Sequence, residues 1–400
     1  MDYKINYELH CAQNQYSFQM KFEVTKKLYQ PKFISILLGF FWLLTQAALF
    51  WQRGIVTGFE AIKYINEAQH FLQYGTLSSN NFWLYSTEIF LIVAAIKLHL
   101  DFIFIVIIQW LLNLFATWMF FQLVVYILKK PLLVFLATFI FIINITYQVY
   151  NSFLFTESVF YSLTVIYSSY LLRIEKLNSK KIAILILLLI LLSVTRPTGI
   201  LFFPTTAIYI FFRFMKNISV WHKIAIVFSA FIIFYFSVNQ MLQSGGEFDF
   251  MLPFRKENII CGVSTTTNAN IEVMEKGNSL EGLVYYIFHN KDQFLKLAGL
   301  KTISFFGLTR NYYSPLHNLY LIIFFYPIYF LSIIGIIKLI KKKEKEIIYL
   351  GTIILLYWIT TLLTCDDWHN RFILTVSPFI FLIAFAAFTP SKNAEKTLSH

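Results

Sequence analysis

The sequence predicts an all-α polytopic membrane protein of about ten transmembrane helices, with juxtamembrane or re-entrant helices in its first outer loop. Three observations carry that reading. Of its 400 residues, 58% are hydrophobic and only 14% charged, more apolar surface than a soluble chain of this size can hide. Many of the apolar runs reach the ~20 residues that a helix needs to cross a bilayer. The runs are continuous rather than alternating, which argues against a β-barrel.

The runs fall at about 33–51, 84–98, 102–127, 131–149, 156–172, 182–195, 199–212, 224–242, 319–337, 347–364 and 372–388. The run at 84–98 is ambiguous, being short, holding Glu88 and Lys97, and ending in His99 and Asp101. Charge bias decides it. If 84–98 does not cross and the N-terminus is inside, the cytoplasmic pieces hold 21 of the 33 Lys and Arg residues and only 7 of the 21 acids. If it crosses, everything after it inverts and the bias vanishes. The run is therefore read as a re-entrant or juxtamembrane helix. A formal net charge of +12 would suggest nucleic acid in a soluble chain. Here the cations mark cytoplasmic loops, and no nucleic-acid partner is expected.

This topology divides the chain into a cytoplasmic tail at 1–32, a transmembrane module at 33–242 with its first outer loop at 52–101, a large extracytoplasmic loop at 243–318, C-terminal helices at 319–390 and a cytoplasmic tail at 391–400. The first 32 residues are polar and mixed in charge, so they are no cleavable signal peptide, and the first span acts as an uncleaved start signal. No inner segment exceeds about 35 residues, too few for a cytoplasmic nucleotide-binding domain. A loop as long as 243–318, with Gly245-Gly246, a polar Thr265–Asn270 segment and a predicted helix near 280–300, is uncommon unless it has a task. Cys11, Cys261 and Cys365 form no metal-like cluster; Cys261 and Cys365 can pair if both face an oxidising compartment.

The stretch Arg53–Tyr85 organises the first outer loop. Thr57-Gly58-Phe59-Glu60 has the form of a capping box, and Gly75 is a helix stop. Between them Phe59, Ile62, Ile65, Ala68 and Leu72 make one apolar face, as on a helix lying along a membrane surface. Glu60, Tyr64 and Glu67 share another face and can point at one place. Glu60 can complete the capping box, or it can take the proton of an attacking alcohol; Glu67 reads as solvated.

Other ionisable residues fall on the same outer face. Glu157, in Thr156-Glu157-Ser158, either faces a wet cavity or favours a helix N-terminus. Arg196 precedes a helix-breaking Pro197, where a guanidinium suits a phosphate or snorkels as an anchor. Asp366-Asp367 with His369 could bind a divalent cation, though at no well-defined spacing, and Glu247-Phe248-Asp249 has an acidic metal motif in form only. Arg310 to His317 mixes a cation, aromatics and an imidazole that could pack on a sugar or pyrophosphate, or form an interfacial aromatic belt.

Taken together, these motifs resemble the membrane-embedded GT-C glycosyltransferases, such as protein O-mannosyltransferases and the aminoarabinose transferase of lipid A. The elements in question are an acid before Ala-x-x-Tyr at Glu60–Tyr64, the Thr-Glu-Ser acid, Arg196-Pro-x-Gly199, a large outer loop and Arg371 before a Pro-containing span. The resemblance covers most of the chain as architecture through short motifs. It departs from the family in having one glutamate where an aspartate, often in an acidic pair, is usual, and in lacking the additional C-terminal domain of several members.

The resemblance implies an integral protein of a cytoplasmic (inner) membrane, multi-pass, with its active face extracytoplasmic. It implies inverting transfer of a sugar from a polyprenyl-phosphate carrier to a hydroxyl of a lipid-linked or extracytoplasmic acceptor. Carried onto this sequence, it makes Glu60 and Glu157 catalytic and sets Arg196 and Arg371 on the carrier phosphate; the residue reading adds Tyr64, Arg310 and His317 as substrate-binding candidates. The leaving group is already a stable phosphate, so it needs cations more than an acid. No cofactor is required beyond the lipid-linked donor, and no metal is predicted; the other partner is membrane lipid. The rival expectations are a flippase or transporter of a lipid-linked saccharide, using the same charges on a pyrophosphate, and a surface-polysaccharide polymerase.

Overall fold

The computed structural model describes residues 31–215, 219–243, 249, 251–266, 270–274 and 277–390. The tail at 1–30, Glu247 and the tail at 391–400, to which the sequence assigned roles, lie outside the described residues.

Every apolar run becomes a helix. In chain order these are α1 (Pro31–Arg53), α2 (Glu60–Tyr74), α3 (Ser86–Lys97), α4 (Ile103–Leu128), α5 (Pro131–Ile142), α6 (Thr156–Leu172), α7 (Ser179–Thr195), α8 (Phe202–Phe214), α9 (Val220–Gln243), α10 (Leu280–His289), α11 (Lys291–Gly307), α12 (Pro315–Lys342), α13 (Glu346–Leu363) and α14 (Arg371–Ala386). Among the described residues there is no strand, only two isolated bridges. Among the described residues six helical segments are long and apolar enough to cross a membrane, and a seventh arises if α5 and the following turn, bent by 51°, form one span. That is fewer than the ten spans expected. One reason is local: α6 and α7 have 17 residues each, about 25 Å at 1.5 Å per residue, short of a full perpendicular crossing.

Two helices form the centre. All residues of α6 except Tyr170 are buried, as are all of α14 except Phe372 and Phe385. Small polar residues make α6 narrow enough for close packing, and its Ser168 shares a 2.8 Å hydrogen bond with Tyr349 of α13. The surrounding helices expose large apolar side chains outward, among them Ile36, Leu111, Leu187, Phe228, Ile323 and Phe330. An apolar surface of that extent fits lipid and would aggregate in water.

The N-termini of α6 and α14 lie at one end of the bundle. At the other end Arg213 pairs with Glu346 and Lys338 reaches the Ala387 carbonyl. The end of α9 and the segment after it share a small core of their own, in which Leu242, Met251, Phe254, Leu283, Tyr286 and Leu297 pack together. The helix expected near 280–300 is two helices, α10 and α11, parted at Asn290, whose side chain bonds back to Glu272 O at 2.9 Å.

A candidate active site built from paired charges

The two halves of the site are held by backbone pairing. Val56, four residues before Glu60, bridges to the turn before α6: Val56 N donates to Ser152 O at 3.0 Å, and Leu154 N to Val56 O at 3.1 Å. This lays the start of α2 beside the start of α6. Between α13 and α14, Asp366 N donates to Ile259 O and Cys261 N to Asp366 O, at 2.8 and 2.9 Å. Cys261 and Cys365 are joined by a disulfide next to that bridge. The pairing that was open in the sequence is therefore formed, and it pins the segment that carries Asp367 and Arg371.

Between these anchors five charged side chains form one chain of ion pairs. Glu60 pairs with Arg371, Arg371 reaches Glu157 Oε1 at 3.0 Å, Glu157 pairs with Arg196, and Arg196 pairs with Asp367. All five were named in the sequence, four as site residues and Asp367 with a possible cation, and 311 positions separate Glu60 from Arg371. With three carboxylates against two guanidinia, full ionisation leaves the group one negative charge in excess.

Exposure divides the carboxylates. The Glu157 side chain is 1% exposed, locked between both guanidinia, whereas that of Glu60 is 32% exposed. Glu157 lies in the first turn of α6, where the helix dipole favours it. Arg371 lies in the first turn of α14, where the dipole opposes it, so the carboxylates are what hold it there. Phe155 lies 5.5 Å from its guanidinium, and Tyr161 donates to its carbonyl oxygen at 3.1 Å. Burial pushes the Glu60 carboxyl above its ordinary value, Glu157 adds to that, and the facing guanidinia offset only part of it.

Arg196 owes its place to the turn on its C-terminal side. α7 stops at Thr195, Pro197 opens a short 3-10 turn, and a Cβ on Gly199 would lie 2.2 Å from Leu192 O. Only glycine lets the chain fold back that tightly, which gives the Arg-Pro-Thr-Gly spacing a physical basis.

Several expectations need correction. No capping box forms: the side chain of N-cap Phe59 accepts no hydrogen bond, and the Glu60 carboxylate turns to Arg371, a charged partner stronger than a neutral amide. Glu67 is buried rather than solvated, accepting from Ser78 N and Ser78 Oγ at 2.6 Å each. It closes the loop after α2 and does not join the charged chain. Gly75 does end α2, in the left-handed conformation. Of the intended apolar face, Phe59, Ile62 and Leu72 are exposed, but Ala68 is buried against the protein.

Tyr64 is buried beside Glu60, its ring 5.7 Å from that of Tyr85. Arg310 stands apart from the chain of charges: it pairs with the fully buried Asp366, to which Ser304 also donates at 2.8 Å. Burial raises the Asp366 carboxyl to about 6 in spite of that partner. His317 stacks on Tyr313 at 4.3 Å and is not a member of the chain of ion pairs. Asp366 and Asp367 therefore face different arginines, and among the described residues no three His, Cys, Asp or Glu side chains converge as a metal site. Asp367 is the member that sequence reasoning left without a role in the site: an Asp-Asp-x-His run could equally hold a cation, and nothing local shows that each acid answers a distant arginine.

No protein-family model, curated protein or solved structure matches the chain.

Proposed function

We propose that the protein is a membrane glycosyltransferase of GT-C type, moving a sugar from a polyprenyl-phosphate carrier to a hydroxyl acceptor on the extracytoplasmic side, with inversion. The observation that carries this reading is the meeting of one reachable carboxylate, Glu60, with two guanidinia at one end of an apolar bundle. A carrier's prenyl chain stays in lipid, which holds the reacting carbon at headgroup depth. A disulfide beside the site favours the oxidising side of the membrane.

In the proposed reaction the acceptor O–H gives its proton to the Glu60 carboxylate while its oxygen bonds to the anomeric carbon. The bond from that carbon to the phosphate oxygen breaks, and polyprenyl phosphate leaves with the electron pair and one further negative charge. Arg371 and Arg196 exchange part of their carboxylate contacts for that phosphate. Arg371 keeps a buried Nε–H with no acceptor among the described residues, so it has a donor to spare. Glu157, out of reach of any substrate, positions both guanidinia. The raised Glu60 carboxyl suits a base, because basicity increases with pKa as long as the group is ionised at the working pH. Tyr64 packs behind Glu60, and Arg310 holds Asp366, which fixes the loop.

The test is purified protein in liposomes with a panel of polyprenyl-phosphate sugars. Transfer with inverted anomeric configuration supports the reading; failure to consume any of these donors removes it. Movement of a lipid-linked saccharide across the bilayer, persisting when Glu60 and Glu157 are both changed to Gln, would identify a transporter instead.

A further inference from the structure

Next to the charged chain lies a cluster of rings that the proposed reaction does not use. Trp368 directly follows Asp367 and is 38% exposed; Tyr312, 46% exposed, lies 5.4 Å from it. Tyr313 packs edge-on against Tyr312 at 4.9 Å, stacks on His317 at 4.3 Å and lies parallel to His369 at 6.0 Å, with its hydroxyl 3.3 Å from His369 Nδ1. These rings come from two distant segments, 312–317 and 368–369.

An interfacial belt consists of separate rings projecting from helices into headgroups. This cluster is built differently. Trp368 sits in a tight turn, its backbone N–H on Asp367 Oδ1 at 2.8 Å, and a Cβ placed on Gly262 of the disulfide-bearing loop would lie 3.9 Å from its indole nitrogen. The next two residues, His369 and Asn370, both hold left-handed backbone at φ 55° and 62°. Neither is glycine, so the turn is maintained against a conformational cost. Asn370 is anchored by donating to Leu308 O at 2.8 Å. The result is a fixed surface of aromatic faces rimmed by hydroxyl, indole and imidazole groups.

A pyranose ring has that shape in complement, with axial C–H groups on its flat faces and hydroxyls around its edge. We infer that Trp368 and Tyr312 form the acceptor subsite and that the acceptor is a saccharide, held by stacking of one sugar ring, rather than a peptide. This deepens the transferase reading and rests on it for the word acceptor. Sugar binding itself does not depend on turnover.

The experiment is saturation-transfer NMR on the full-length protein in detergent, with maltotriose, chitotriose and mannotriose as probes and a Ser/Thr-rich peptide as comparison. At least one trisaccharide should receive saturation and the peptide should not. In Trp368→Ala with Tyr312→Ala that signal should fall at least fivefold, while Trp368→Phe, which keeps an aromatic face, should retain most of it. Added polyprenyl phosphate should leave the signal in place. No saturation of any trisaccharide, an undiminished signal in the double alanine variant, or displacement by polyprenyl phosphate would each overturn the assignment, the last by marking a donor pocket. Trisaccharide binding in a protein that consumes no carrier-linked sugar would sink the transferase and keep the sugar site.

Discussion

Glu60 and Glu157 are both glutamates in the first turn of a helix, and the sequence offers no means of ranking them. The structure ranks them by access: one side chain is a third exposed with a single guanidinium partner, the other is enclosed by two. Removing the second leaves buried cations short of a counter-charge, which typically costs about 3–5 kcal/mol. A partly exposed pair is worth about 1 kcal/mol or less. Thermal unfolding in detergent should therefore show Glu157→Gln melting well below wild type and Glu60→Gln close to it; equal losses would contradict the division of roles. The pH profile gives a second check on Glu60. Its carboxyl is raised above 4.5, so the basic form accumulates only at higher pH. The acid limb of kcat/KM should then rise with pH through a midpoint above 4.5, and a midpoint at or below the ordinary glutamate value would mean another group is titrating.

At the scale of elements, sequence reasoning located helices well and their attachments poorly. Apolar periodicity and Gly75 were enough for α2, because both act within one helix. The Val56 and Asp366 bridges depend on residues roughly 100 positions away, and no local pattern encodes such a pairing. The capping box failed for the same reason, since a distant arginine outcompeted a local amide. The disulfide is the element-scale feature most open to test. It closes a loop of 104 residues next to Asp367, and a cross-link of that span can stabilise by up to about 4–5 kcal/mol. Changing both Cys261 and Cys365 to Ser should lower the melting temperature and reduce transfer at least tenfold, as Asp367 and Arg371 lose their fixed spacing. Unchanged activity would show that the Asp366 bridge alone positions them.

For the molecule as a whole, the expected sidedness rests on how lysines and arginines partition between loops, whatever the details of folding. The charged chain, the disulfide and the aromatic cluster gather at one end, with Lys176 and the Arg213–Glu346 pair at the other. The number of crossings was not legible, since a run's hydropathy does not reveal where it bends or how far it tilts. After Cys11→Ser, a membrane-impermeant maleimide should label Thr76→Cys but not Lys176→Cys in right-side-out vesicles, and the reverse in inverted ones. Labelling of both from one side would break the topology on which carrier binding depends.

The central claim is that Glu60 accepts the acceptor's proton while the arginines hold the carrier phosphate. It is tested most directly by single-turnover transfer from a labelled polyprenyl-phosphate sugar, with bound donor measured in the same samples. Glu60→Gln should bind donor as the wild type does and transfer at least about a hundredfold more slowly, within the range general-base catalysis contributes. Transfer at the wild-type rate would contradict the account.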